Sequence, residues 1–240
     1  MKTDALAQEI PPLEIEETKD GTPTLFVPSL CEHYHSVFGA RTESEYIFIG
    51  QALRKWTDVH PGSCTVLEVG FGTGLNALLT LLETETRGAE VLYHTFENVP
   101  LPLDLIRDMW QKSLRKDEWI LMEKIHEADW NRAIPLSDRF MIFKHCADLL
   151  SSDLPTADVI YMDAFAPEKT PLLWTEDFLG KLYNAAGDGA RFATYCAKGE
   201  IRRRLRRVGF RVFRTPGPPG GKREILTAQK DYGIFPEHSN

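Results

Sequence analysis

Four acidic residues, Glu68, Glu97, Asp148 and Asp163, fall at or beside the ends of successive apolar, strand-like runs. Behind the first of them, Gly70, Gly72 and Gly74 recur at every second position, in the stretch Glu68-Val69-Gly70-Phe71-Gly72-Thr73-Gly74-Leu75-Asn76. Strand, glycine turn and helix form the ligand-binding corner of a βαβ unit, where the backbone turns tightly and approaches a ligand closely. Glycine spacing alone is equally compatible with a plain strand–helix turn. Any one carboxylate alone reads as a solvated loop charge. Four at successive strand ends read differently, because an open α/β sheet binds its ligand beyond the carboxyl ends of its strands. An acidic wall suits a cation and disfavours a pyrophosphate. The pattern is also G-x-G-x-G behind a glutamate, not the G-x-G-x-x-G of dinucleotide sites.

S-adenosylmethionine, a sulfonium that also carries an ammonium group, meets those demands. Glu68 would attract the ammonium of its methionine moiety, directly or through water, with Phe71 and Asn76 lining that moiety. Glu97 would accept both ribose hydroxyls, Asp148 the adenine amino group, and Asp163 would face the sulfonium and the acceptor.

The elements that must hold these groups follow from periodicity. Strands are expected at 65–69, 90–96, 140–143, 158–163, 190–196, 210–213 and 224–228. Helices are expected at 75–87, 103–110, 116–133, 172–186 and 198–208, with a short one from Ile47 to Trp56. Arg87-Gly88 closes the first long helix, Gly209 the last, and Gly187-Asp188-Gly189 turns into the fifth strand. Alternation of strands and helices gives a mostly parallel sheet covered on both faces. The final pair has no room for a helix between residues 214 and 223, so it closes antiparallel. By analogy of fold this is an α/β, Rossmann-like, seven-stranded class I S-adenosylmethionine-dependent methyltransferase sheet. Ahead of it, Asp20-Gly21 and Thr22 to Val27 suggest a hairpin. Residues 1–20 suggest an edge strand or frayed arm, and Tyr34 to Tyr46 either a pocket-shaping loop or a solvated connector. The expected organisation is an N-terminal β-containing extension at 1–60, a methyltransferase domain at 61–230 and a tail at 231–240.

Composition narrows the field. The net charge of −7 excludes a wholly basic nucleic-acid coat and leaves room for a local patch. The N-terminus has no signal-peptide h-region, and no apolar run reaches the roughly 18 residues of a membrane helix. Cys31, Cys64, Cys146 and Cys196 are widely spread, so reduced thiols in a cytoplasmic protein without a metal are expected. From Lys198 to Arg223, ten basic residues stand against the single acid Glu200. Such a run is most often a solvated helix face; here the loop at 216–221 with Lys222 and Arg223 tilts the reading toward phosphate contacts.

The sequence resembles a known family at several places. They are the G-F-G-T-G-L-N turn, Phe96-Glu97-Asn98-Val99-Pro100, Asp163-Ala164-Phe165-Ala166-Pro167 with Trp174 downstream, and Lys222-Arg223-Glu224. Gly21-Thr22-Pro23 through Tyr34 to Tyr46-Ile47-Phe48 adds to the match, which extends over about residues 20–228. The family is the methyltransferase of the tRNA wobble-uridine 5-methylaminomethyl-2-thiouridine pathway. In many bacteria it is fused to a flavin-dependent oxidase; the length here suggests the standalone form, with a separate oxidase acting upstream. Fused members commonly carry glycine at the position of Ala164, whose methyl would narrow the acceptor pocket. The resemblance implies methyl transfer to the primary amine of 5-aminomethyl-(2-thio)uridine in a tRNA anticodon stem-loop. Asp163 would then orient the amine and help take its proton. Phe165 and Tyr34 would sandwich the flipped-out base. Arg203, Arg207, Lys222 and Arg223 would meet RNA phosphates. Two alternatives stand beside this: a methyltransferase or aminopropyltransferase-like enzyme of a small amine, and a non-catalytic RNA-binding module.

Overall fold

The computed structural model describes residues 12–232. Residues 1–11 of the expected arm and residues 233–240 of the expected tail lie outside them. A three-stranded sheet opens the chain: β1 (Glu14–Glu17), β2 (Pro23–Val27) and β3 (Glu32–His33), antiparallel throughout. β1 is exposed at all four positions, as an edge strand is. Next comes α1 (Ala40–Ser44), which runs through a π-helical stretch, Glu45–Arg54, into α2 (Lys55–Thr57). The helical segment therefore starts seven residues earlier than the sequence suggests. Ile47, Phe48, Ala52 and Trp56 of this segment sit in the same core as Leu75, Leu78 and Tyr161. The extension thus packs as part of the main body.

The main sheet is built from β4 (Ser63–Val69), α3 (Leu75–Arg87), β5 (Glu90–Glu97), α4 (Leu103–Trp110), α5 (Lys116–Glu127), β6 (Ala133–Pro135), β7 (Phe140–Cys146), β8 (Ala157–Met162), α6 (Glu176–Ala185), β9 (Ala186–Thr194), α7 (Gly199–Arg207), β10 (Arg211–Pro216) and β11 (Glu224–Gln229). Its order is β10-β11-β9-β8-β4-β5-β7-β6. β9, β8, β4, β5 and β7 are parallel, and β11 lies antiparallel between β9 and β10. The order reverses at β4 and β8, which places a topological switch point between them.

Among the described residues the sheet has eight strands rather than seven. The helix expected over 116–133 stops at Glu127, because Ala128 takes an extended backbone and Asn131 a left-handed one. That frees Ala133–Pro135 to pair antiparallel with β7 as an edge strand. The helix expected over 172–186 is two pieces, a 3-10 turn at Pro171–Trp174 and then α6, whose N-cap Thr175 accepts from the Phe178 amide. Gly187 to Gly189 are not a turn. They belong to β9, where its register against β8 shifts between Ala157 and Val159.

Strand alternation splits the interior into two cores. Val66, Tyr93 and Tyr161 face α3 and α5, while Leu67, Val69, Ile160 and Met162 face α6 and α7. Among the described residues no helix is long and apolar enough to cross a membrane.

Candidate active site

At the carboxyl ends of β4, β5 and β8 lies a cavity of about 640 Å³. Gly70, Phe71, Gly72 and Asn76 form its floor, Glu97 and Asp148 one wall, and Asp163, Ala164 and Phe165 the opposite wall. Tyr34, just after β3, roofs it, and Lys222 reaches in from the loop before β11.

The glycine turn is held from several directions. Gly70 has φ 91°, and a Cβ there would come within 3.4 Å of the Asp163 carbonyl oxygen, so the turn abuts the start of the Asp163–Pro167 segment. Gly72 has φ 51° and lies under the Tyr34 ring, 3.1 Å from where a Cβ would stand. Its amide donates to Glu97 Oε2 at 3.1 Å, while Glu97 Oε1 accepts from the Val99 amide at 3.0 Å. Burial raises the Glu97 carboxyl above its ordinary pKa, and these backbone donors pull it back. The Thr73 carbonyl accepts from Trp110 Nε1 at 3.2 Å and lies 3.0 Å from His126 Nε2. The Thr73 hydroxyl is 2.6 Å from His35 Nε2. None of Trp110, His126 and His35 was legible as a site residue. Each comes from a separate element, and only the turn brings them together.

Asp163 is half-buried and accepts from Asn76 Nδ2 at 2.8 Å. Burial drives its pKa well up, Glu68 and Glu43 add to the rise, and Asn76 and Lys222 oppose it. Its segment is fixed through main-chain carbonyls. Ala164 O accepts from the Tyr195 hydroxyl at 2.8 Å, and Phe165 O from Thr170 Oγ1 at 2.8 Å and Trp174 Nε1 at 2.9 Å. Phe165 and Tyr34 meet edge to face at 5.0 Å between ring centroids. Ala164 lines the cavity and is almost fully buried.

Two of the expected donor-binding groups do not reach the cavity. Glu68 points from the middle of a parallel sheet toward α3 and is fully buried, accepting from Thr95 Oγ1 at 2.6 Å. It lies behind Asn76 and Asp163 and does not line the cavity. Burial lifts its pKa to about 8. Gly74 is the left-handed N-cap of α3, covered by His126. Asp148 lines the cavity from its exposed mouth and accepts from the Leu150 amide at 2.9 Å.

The basic run is also redistributed. Lys198 pairs with Glu168, Arg204 with Glu200, Arg207 with Glu176, Arg211 with Asp231 and Arg214 with Glu224. Arg203 and Arg223 are exposed, have no acidic partner among the described residues and do not line the cavity. Arg207 is away from the cavity and already neutralised. Of the four expected phosphate contacts, only Lys222 enters the cavity. There its Nζ lies 3.2 Å from Glu43 Oε1 and 3.7 Å from the Tyr195 ring centroid.

A methionine-bearing sulfonium fits this chamber. Its walls are acidic, and the buried Oδ1 of Asn76, on the cavity floor, has no hydrogen-bond partner among the described residues. The sheet order, the glycine turn under a switch point and the acidic strand ends together define a class I S-adenosylmethionine-dependent methyltransferase. A family model described as S-adenosyl-L-methionine-dependent methyltransferase matches residues 108–231, and the chain belongs to that family.

Similar proteins include the tRNA 5-methylaminomethyl-2-thiouridine biosynthesis bifunctional protein MnmC of Paraburkholderia xenovorans (strain LB400). It is 30% identical over 225 residues, covering 88% of this chain and 34% of the relative. The protein of the same name from Pseudoalteromonas atlantica is 30% identical over 234 residues, covering 89% of this chain and 33% of the relative. The chain thus spans about a third of the length of these relatives. Among solved structures, MNMC2 from Aquifex aeolicus aligns with a TM-score of 0.71 at 27% identity, covering 92% of this chain and 71% of that one.

Proposed function

We propose that the protein methylates the primary amine of 5-aminomethyl-(2-thio)uridine at the wobble position of tRNA, in the cytoplasm. An upstream flavin-dependent oxidase would expose that amine. The observation that carries the reading is Asp163, a half-buried carboxylate placed between the glycine turn and the Tyr34–Phe165 pair. The similarity to proteins named for 5-methylaminomethyl-2-thiouridine biosynthesis supports the choice of acceptor.

When bound, S-adenosylmethionine supplies a methyl group on a positively charged sulfur that departs as a neutral thioether. The chain does the positioning. Glu97, its carboxylate already fixed by two amides, receives the ribose hydroxyls, and Asn76 Oδ1 accepts from the ammonium. Asp148 takes the adenine amino group at the mouth. Glu68 acts from behind Asn76 and Asp163, through their placement. The Tyr34 and Phe165 rings touch edge to face and leave no room for a base between them, so the expected sandwich gives way to an aromatic face on one side of the extruded base. Asp163, its carboxyl pushed up by burial, is a stronger proton acceptor than a solvated carboxylate and orients the amine lone pair.

Asp163→Asn tests this directly. Methylation of tRNA bearing 5-aminomethyluridine should fall by at least about 100-fold, within the range ascribed to general-base groups. Binding of the same tRNA should change less than about threefold. An active variant, or a deletion strain with normal 5-methylaminomethyl-uridine by mass spectrometry, would refute the reading.

A further inference from the structure

A cation in the acceptor half of the cavity is unexpected if the acceptor is itself an amine. Lys222 stands at the end of the loop between β10 and β11, a loop that folds back on itself. Its Gly217 amide donates to Arg223 O at 3.1 Å, and a Cβ at Gly217 would overlap the Lys222 carbonyl at 1.7 Å. The loop geometry turns the Lys222 side chain inward, away from the surface carrying Arg203 and Arg223. The ammonium is then held at two points, beside the buried Glu43 Oε1 at 3.2 Å and over the Tyr195 ring at 3.7 Å. A lysine over an aromatic face and beside a carboxylate is a fixed charge, not a swinging one. Tyr195 in turn bonds Ala164 O, next to Asp163.

We infer that Lys222 is a specificity-determining residue of the acceptor pocket, a fixed positive charge that favours the neutral over the protonated form of an amine acceptor. The inference rests on the amine reading above. A protonated amine has no lone pair for methyl transfer, so it must first pass its proton to Asp163 or to water. Near a like charge, the ammonium form is disfavoured and the amine pKa falls. Glu43 sets how much of that charge is felt, since it neutralises Lys222 from the far side. The charged and titratable groups around Lys222 are Glu43 from α1, Asp163 after β8, Tyr195 and Cys196 after β9, and Glu32 of β3, which acts on Tyr195. Glu68 lies behind Asp163 on β4. Lys222 and Glu43 act on Asp163 in opposite senses.

Two substitutions should therefore move the reaction in opposite directions. The test is the single-turnover rate of the full chain with saturating S-adenosylmethionine. The acceptor is a saturating anticodon stem-loop carrying synthetic 5-aminomethyl-2-thiouridine, and rates are followed from pH 5.5 to 9.5. The acid limb of this profile reports the groups of the bound complex. Lys222→Met should move that limb up by about one pH unit, the size of one nearby charge at intermediate screening. Glu43→Gln should move it down, and Lys222→Arg should hold it near the wild-type position. Binding measured against salt should keep its wild-type slope in Lys222→Met.

An unmoved limb with the salt slope reduced by about 0.9 would make Lys222 a phosphate contact and overturn the inference. Limbs moving the same way in Lys222→Met and Glu43→Gln would overturn it too. Both results presuppose an active wild type. A wild type that methylates no aminomethyl-uridine RNA refutes the amine reading, and this inference with it.

Discussion

Replacing Glu68 by glutamine should stabilise the protein, and more so in alkali. The carboxylate is fully buried and, among the described residues, accepts one hydrogen bond, from Thr95, and leaves Oε1 without a partner. Burial raises its pKa from the ordinary 4.5 to about 8, with the hydroxyl of Thr95 pulling the other way. The sign follows from which state holds the proton. Below pH 4.5 both folded and unfolded chains are protonated and the group costs nothing. Between the two values the unfolded chain ionises and the folded one does not, so folding loses ground as pH rises. Above pH 8 the loss is complete, at about 5 kcal/mol as an upper limit. Between pH 5.5 and 8.5 the change attributable to Glu68 is about 3 kcal/mol. Urea unfolding of wild type and Glu68→Gln at those two pH values measures it. The variant should lose most of that difference, since its amide does not ionise. If the pH dependence is the same in both proteins, Glu68 is not a neutral acid in the folded state and the reasoning fails. A destabilised variant at pH 8.5 would say the same.

Gly72→Ala places a Cβ at φ 51° and within 3.1 Å of the Tyr34 ring. It should cost about 1–2 kcal/mol for the backbone alone and weaken S-adenosylmethionine binding in calorimetry. Adding Tyr34→Ala should relieve the contact but not the backbone cost, so full recovery of stability would be contrary to the geometry. For RNA, the salt dependence of binding should separate free from paired arginines. Arg203→Gln with Arg223→Gln should lower the slope by about 1.5, whereas Arg207→Gln, already tied to Glu176, should lower it by less than about 0.3. Equal losses would count against the pairing as the deciding factor.

How much of the site was legible can be read from its residues. Gly70, Gly72 and Glu97 are close in sequence to strand ends, and strand ends are set by local periodicity, so their convergence was expected. So were Asp163 and Phe165, because the β8 run is bounded by its own apolar pattern. Trp130 shows where such reasoning stops. It lies in a predicted helix, but its ring packs at right angles to Phe71, 5.6 Å away, and the buried Lys144 lies 4.6 Å from its centroid. Both belong to other strands and turns, and their pull against helix propensity is invisible locally. The ten-to-one ratio of bases to acids over 198–223 overstates the unpaired charge for a related reason. The neutralising acids Glu168, Glu176 and Asp231 lie outside that stretch, and Glu43 lies far from it.

By itself the sequence determined the doubly covered sheet, its antiparallel closing pair and the acidic character of the strand ends. Those depend on apolar period, on turn length and on the sign of charge at strand ends, which are all local quantities. Tertiary structure alone decided depth and partnership. The outward or inward aim of a side chain on a strand is legible, but how much protein lies over it is not. That is why Glu68 and Gly74 lie behind the cavity wall while Lys222, read as a surface cation, points into the cavity. The fold also set the charge balance there. Glu43, Tyr195 and Asp163 surround Lys222 from three distant segments, and a short-range pattern cannot encode a field summed over them.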